Sequence, residues 1–300
     1  MPLLRLLLPL TLVVVFACDK STPATPALTP PPAAIPTGDP PAPEPAPAAA
    51  AAPQEPAIAP ATPEPAPAEV AEAPSGPRKV LVLGDSLAAT GFGAMLEKKL
   101  DEHPDIECFR KAKSATGLAR PDFYDWESEA KKAVDQRKPD LVVIIMGGND
   151  GQDLTTKSGK GKRVAWKSDG WNDAYKARVA DFLSEISADG RKVLWLGLPR
   201  TGTTSFEQKL TTIRDVQSQA LADFGDAGVY LDTTPFITTA TGDLIDSAAI
   251  GKRKAQALRE EDGIHFTMAG SEFFADKVYP EVLKVLGVED ATTEGKKPQK

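Results

Sequence analysis

From residue 79 onward, short unbroken apolar runs alternate with longer stretches in which apolar residues recur every third or fourth position. The runs at 79–83, 106–110, 141–146, 192–196 and 229–231 predict five strands. The third, Leu-Val-Val-Ile-Ile-Met, lacks period-two alternation, which predicts a strand covered on both faces. Phe92, Met95, Leu96 and Leu100 form a helical stripe. Tyr175, Val179, Phe182, Leu183 and Ile186 form a second, and Leu210, Ile213, Val216, Ala220, Leu221 and Phe224 a third. Thr267 reads as the N-cap of a final helix carrying Phe273, Phe274, Val278 and Val282, which Pro280 should bend or break. Strands alternating with helices predict an α/β fold whose mostly parallel sheet has helices on both faces.

The first 78 residues follow neither pattern. Residues 1–17 carry Arg5 and then an apolar stretch, 6–16, too short to cross a bilayer, and they predict an export leader. Its end, Val15-Phe16-Ala17-Cys18, resembles a bacterial lipobox, so Cys18 is the expected lipidation site. Segment 18–78 holds nineteen of the 28 prolines and no aromatic residue, the composition of a disordered linker. At about 3.1 Å per residue its 20–77 portion reaches at most roughly 180 Å, the length of a stalk. Residues 79–288 remain for one folded domain, and 289–300 form a polar tail expected to be disordered. These features together predict a lipid-anchored protein of the bacterial cell envelope, on its periplasmic or extracytoplasmic side. A net charge of −7 points away from nucleic acid as a partner. Cys108 is the only cysteine besides Cys18, so the domain has no internal disulfide to form and must rely on its core.

Polar motifs stand where these strands should end. Gly84-Asp85-Ser86-Leu87 closes the first, Gly147-Gly148-Asn149-Asp150 follows the third, and Asp262-Gly263-Ile264-His265 precedes the last helix. In open α/β sheets ligands bind outside the carboxyl ends of the strands, where the strand order reverses. An order of 2-1-3-4-5 would set Ser86, Gly117 and Asn149 side by side there. A serine hydroxyl attacks well only when a base takes its proton. The chain has two histidines, and His103, beside Pro104 after a helix, is expected at the surface or as a cap. That leaves His265 as the candidate base and Asp262 as the carboxylate that orients it. The Ser86 and Gly117 backbone N–H groups and the Asn149 amide are candidate donors to an oxyanion. Asp85 and Asp150 are expected to fix turns through hydrogen bonds. No second histidine or cysteine accompanies His265 at ligand spacing, so no metal is expected.

These blocks, with Gly117 in Ser114-Ala115-Thr116-Gly117-Leu118, resemble those of the SGNH/GDSL hydrolase superfamily. Stretches 116–122 and 262–267 are similar to a bacterial cell-envelope subgroup of it. The resemblance covers most of 79–288 and implies a flavodoxin-like three-layer sandwich with a central parallel five-stranded sheet. It also implies serine esterase chemistry by a Ser86–His265–Asp262 triad, without metal or other cofactor. Members commonly remove, and some transfer, small acyl groups on glycans. The implied partners are an acylated glycan or small ester and, through the lipid on Cys18, a membrane.

Specificity is expected in the insert between strands three and four. Gln152, Trp166 and Trp171 lie there among Lys157, Lys160, Lys162, Arg163 and Lys167. Together with Tyr124 and Trp126 these aromatics are expected to border a glycan cleft, stacking on sugar faces. Three functions stay open at this level: an O-deacetylase of an envelope glycan, an O-acyltransferase using the same acyl-serine, and a catalytically idle module that binds glycan or a partner.

Overall fold

The computed structural model describes residues 76–188 and 191–291. The expected leader, Cys18 and all of the stem before residue 76 lie outside the described residues, as does the tail beyond 291.

The elements run β1 (Arg78–Gly84), α1 (Ser86–Ala89), α2 (Gly91–Asp101), β2 (Ile106–Ala112), α3 (Trp126–Arg137), β3 (Leu141–Ile145), α4 (Trp171–Ile186), β4 (Lys192–Leu196), α5 (Thr204–Phe224), β5 (Gly228–Leu231), β6 (Ser247–Ala248), β7 (Gln256–Ala257) and α6 (Met268–Leu286). Strands β1 to β5 form one parallel sheet in the order β2-β1-β3-β4-β5. The expected order and five strands are present, with edges shifted by at most two residues. β3 is the middle strand and is buried along its whole length, as its unalternating sequence requires.

From β1 to β2 the chain steps one way along the sheet, and from β2 through β5 it steps back. Right-handed crossovers turn that reversal into two helix layers, with α2 on one face and α3, α4 and α5 on the other. α6 rejoins the α2 face, where the Phe92 and Phe274 ring centroids lie 4.7 Å apart. Register then sets the stage for the site. Gly84 pairs with both Ala112 and Ile145, so β1, β2 and β3 end level with one another. The loops carrying Ser86, Gly117 and Asn149 leave from that common edge.

Two expectations need correction, and one element lies outside those the sequence predicts. α6 continues through Pro280. The proline removes one backbone donor, but buried Phe274, Val278, Val282 and Leu286 on either side hold the helix against the core. His103 is neither exposed nor only a cap: it is 4% exposed, and its Nε2 lies 2.8 Å from the Glu289 carbonyl oxygen. That bond holds the first residue of the expected tail. α3 has no counterpart among the predicted elements, because it buries only Trp126, Ala130, Ala133 and Val134, a stripe of mostly small side chains. Its start is set by Asp125, whose carboxylate accepts the Ser128 N–H at 3.3 Å.

Candidate active site

Three carboxylates organise the site. Asp85 caps the four-residue α1 by accepting the Leu87 N–H at 3.1 Å, and its other oxygen accepts the Gly147 and Gly148 N–H groups at 3.1 and 3.0 Å. One buried side chain therefore ties the Ser86 turn to the loop after β3. The turn can form only with glycine at 84, since a Cβ there would collide with the Ile145 carbonyl oxygen. Burial pushes the Asp85 carboxyl up to about 6, against the pull of the Leu87, Gly148 and Gly147 N–H groups.

Asp150 makes the second tie. Its oxygens accept the Leu118 and Ala119 N–H groups at 3.0 and 2.8 Å, joining the loop after β3 to the loop after β2. Gly117 is required for this approach, because a side chain there would run into the Asp150 carboxylate. Asn149 adds a parallel link, donating one amide hydrogen to the Thr116 carbonyl at 2.9 Å. An amide has two such donors. Among the described residues the second has no protein acceptor, and neither do the Ser86 and Gly117 backbone N–H groups.

The third carboxylate is Asp262, on the loop before α6. Its Oδ1 accepts the Ile264 and His265 N–H groups at 2.7 and 2.9 Å, and its Oδ2 lies 2.6 Å from His265 Nδ1. On the other side of the ring, His265 Nε2 lies 2.9 Å from Ser86 Oγ. Partial burial works upward on the Asp262 carboxyl, but the bonds from His265 and the two backbone N–H groups outweigh it and hold the group down at about 2. Asp262 is thus a carboxylate at any neutral pH, placed to keep Nδ1 protonated and Nε2 free to accept the serine proton. The Asp262 and His265 side chains are 45% and 34% exposed, so water reaches the pair.

Three further groups, none of them a candidate site residue by sequence, support this geometry. Tyr175 on α4 donates its hydroxyl to Asp150 at 2.7 Å, and Gln217 on α5 donates to the Tyr175 oxygen at 3.1 Å and to the Met146 carbonyl at 3.0 Å. Both side chains are fully buried. Arg259 donates to the carbonyls of Ile264 and Arg200, bracing the histidine loop against the segment after β4, and its guanidinium lies 3.8 Å from the Phe266 ring centroid. Burial lowers the Arg259 guanidinium to about 10, while Asp262 and Glu207 pull the other way. None of the three belongs to a motif, and apart from Ile264, five residues from Arg259, their hydrogen-bond partners lie 25 to 71 residues away, so no local signal points to them.

The expected aromatic cleft is not what the structure shows. Trp126 and Trp171 are each 1% exposed. Trp126 donates its indole N–H to Thr116 Oγ1 at 2.9 Å, steadying the Gly117 loop, and Trp171 donates to the Gln152 carbonyl at 2.8 Å. Trp171 is stacked on Tyr175 and met edge-on by half-buried Trp166. Gln152 turns its amide back to the Asn149 carbonyl. Half-buried Tyr124 stands edge-on to Trp126, and the two line a depression with Gly117, Lys157 and Arg178. The indole faces are thus committed to the core, and sugar stacking on Trp126 and Trp171 is excluded. Lys157 is drawn to Asp125 and Glu127 at 3.3 and 2.6 Å.

A parallel sheet in this order, with all four blocks gathered at one edge, is the arrangement that the resemblance to the SGNH superfamily implies. Residues 79–281 match the model of the family described as a protein of unknown function, DUF459, and the chain belongs to that family. No curated protein matches. Among solved structures the chain is similar to the crystal structure of TesA, with 25% identity, 70% of this chain and 99% of that one covered, and a TM-score of 0.47. It is also similar to the psychrotrophic esterase EstA from Pseudoalteromonas sp., at 15% identity, 70% and 99% coverage and TM-score 0.48. Axe2, an acetyl xylan esterase from Geobacillus stearothermophilus, gives 18% identity, 72% and 98% coverage and TM-score 0.49.

Proposed function

We propose that the protein is a serine esterase that removes acyl groups such as acetyl from sugar hydroxyls of a cell-envelope glycan. The observation that carries this reading is the unbroken hydrogen-bonded series Asp262–His265–Ser86. In the first half-reaction Ser86 Oγ bonds to the ester carbonyl carbon while its proton passes to His265 Nε2. The carbonyl π-pair moves onto oxygen, where the Ser86 and Gly117 N–H groups and the second Asn149 amide hydrogen receive it. The intermediate collapses by breaking the bond to the sugar oxygen, which takes the proton from His265. In the second half-reaction water attacks the acyl-serine by the same route, releasing the carboxylic acid and restoring the hydroxyl. Asp262 stabilises the imidazolium formed in each half without itself being protonated.

The envelope glycan is supported by the sequence of the first 78 residues, read as a leader, a lipidated Cys18 and a long proline-rich stem. Such a tether would let a catalytic domain sweep a polymer layer beside its membrane. Hydrolysis of p-nitrophenyl acetate and covalent labelling by a fluorophosphonate test the chemistry. Ser86→Ala should abolish both, and full retention of either activity would remove the proposed mechanism.

A further inference from the structure

We propose that the apolar pocket beside Ser86 is an acyl subsite sized for unbranched chains of roughly four to six carbons. The inference rests on the esterase reading and extends it to the identity of the group removed. Ser86, His265 and Asn149 border the pocket, whose volume is about 160 Å³. Asp85, Leu87, Gly148 and Thr201 line it as well, and an apolar side is made by Leu198 and Pro199 after β4, Phe206 and Leu210 on α5, and Ile264. An acyl carbon bonded to Ser86 Oγ has its oxygen among the N–H donors, so its chain must leave in another direction. The side formed by Leu198, Pro199, Phe206, Leu210 and Ile264, away from Asp85, supplies a direction with no charge in it.

The segment after β4 would ordinarily bring polar backbone to such a surface, but those groups are held elsewhere. Thr233 donates to the Gly197 carbonyl at 2.6 Å, Arg214 to that of Leu198 at 3.0 Å and Arg259 to that of Arg200 at 2.6 Å. Glu207 accepts the Thr201 N–H at 2.8 Å. With backbone polarity tied into the scaffold, side chains of Leu198 and Pro199 are left to face the pocket, and the wall is fixed before substrate arrives. Phe206 sets the limit on the α5 side: its ring lies 3.9 Å from where a Cβ on Gly148 would be, against the loop that carries Asn149. An apolar cavity of about 150 Å³ takes up benzene, a six-carbon ring, so a pocket of about 160 Å³ has room for an acyl group of that order. Each added methylene that fits should raise kcat/KM about fourfold.

The test uses p-nitrophenyl esters from acetyl to decanoyl with the full chain and with Phe206→Ala and Phe206→Trp, each checked for a native circular dichroism spectrum. The wild type should rise by on the order of tenfold from acetyl to butanoyl and fall steeply beyond hexanoyl. Phe206→Ala should move the optimum to longer chains, and Phe206→Trp should move it to acetyl. An optimum that neither substitution shifts, or a wild-type preference for decanoyl, overturns the proposal. A separate arm follows saturation-transfer NMR from Ser86→Ala to hexanoate. If no ester is cleaved, the catalytic reading fails, yet transfer to hexanoate that Phe206→Trp abolishes still supports the subsite. No transfer to hexanoate overturns it.

Discussion

Tyr175 donates its hydroxyl to Asp150, and through that bond a residue in the middle of α4 sets the position of the glycine loop after β2. Asp150 has no exposed surface and accepts three protein donors: Leu118 N–H, Ala119 N–H and the phenol. Loss of the phenol would let the carboxylate rotate and carry Gly117 with it. Tyr175→Phe should therefore lower kcat on p-nitrophenyl acetate about tenfold at nearly constant KM, and lower stability by about 1–3 kcal/mol. Steady-state kinetics separate this from a purely structural role, which would reduce Tm and leave kcat of the folded enzyme intact.

Asp262→Asn keeps the shape of the histidine loop but turns the group facing Nδ1 from an acceptor of its proton into a possible donor. Its kcat should fall by roughly 10⁴. Asn149→Ala removes one oxyanion donor and should cost about 10²–10³ in kcat. A loss below tenfold in either variant, measured on p-nitrophenyl acetate at pH 7, would contradict the assigned role.

Stability should peak in mild acid. Burial lifts Asp85 from an ordinary 3.8 to about 6 and also raises Asp150, so between about pH 4 and 6 the folded chain holds protons that the unfolded chain has released. That contribution is complete below pH 4 and disappears as pH climbs through 6. For Asp85 alone it is on the order of 3 kcal/mol, at about 1.4 kcal/mol per pH unit. Asp262 works in the opposite sense: its contribution is present above about pH 4 and is lost as pH falls toward 2. Urea midpoints should therefore be highest near pH 4–5, and Asp85→Asn should show a shallower decline toward pH 7. A wild-type midpoint rising steadily from pH 4 to 7 would contradict this.

Arg259→Lys should not rescue what Arg259→Ala loses. The guanidinium reaches two carbonyls on different segments while lying over Phe266, and one ammonium cannot reproduce that fork. Both variants should lower kcat, with Lys closer to Ala than to the wild type, and a Lys variant at full activity would show that charge alone suffices.

Much of the architecture was legible because it depends on local patterns. The continuous apolar run at 141–146 could only be a covered strand, and α5 buries Leu210, Ile213, Val216, Ala220 and Leu221 as its period requires. The pairing of Ser86 with His265 followed from the scarcity of histidine. What stayed hidden depends on contacts between distant segments. A tryptophan in the insert between β3 and β4 has the same sequence signature whether its face meets a sugar or, as for Trp171, Tyr175 and Trp166. His103 looked superficial because its partner, Glu289, lies 186 residues away. Tyr175 reads as an ordinary member of a helical stripe and Gln217 belongs to none, and only the fold shows that both carry hydrogen bonds beneath the site.

The serine and its base stand 179 positions apart in the chain, on the first turn after β1 and just before α6. A polypeptide still lacking its final hundred residues, or one cut before residue 258, thus has the hydroxyl but nothing to deprotonate it. Reagents that react only with an awakened serine would ignore every fragment and every unfinished intermediate. Their signal would time the moment at which the two ends of the domain meet.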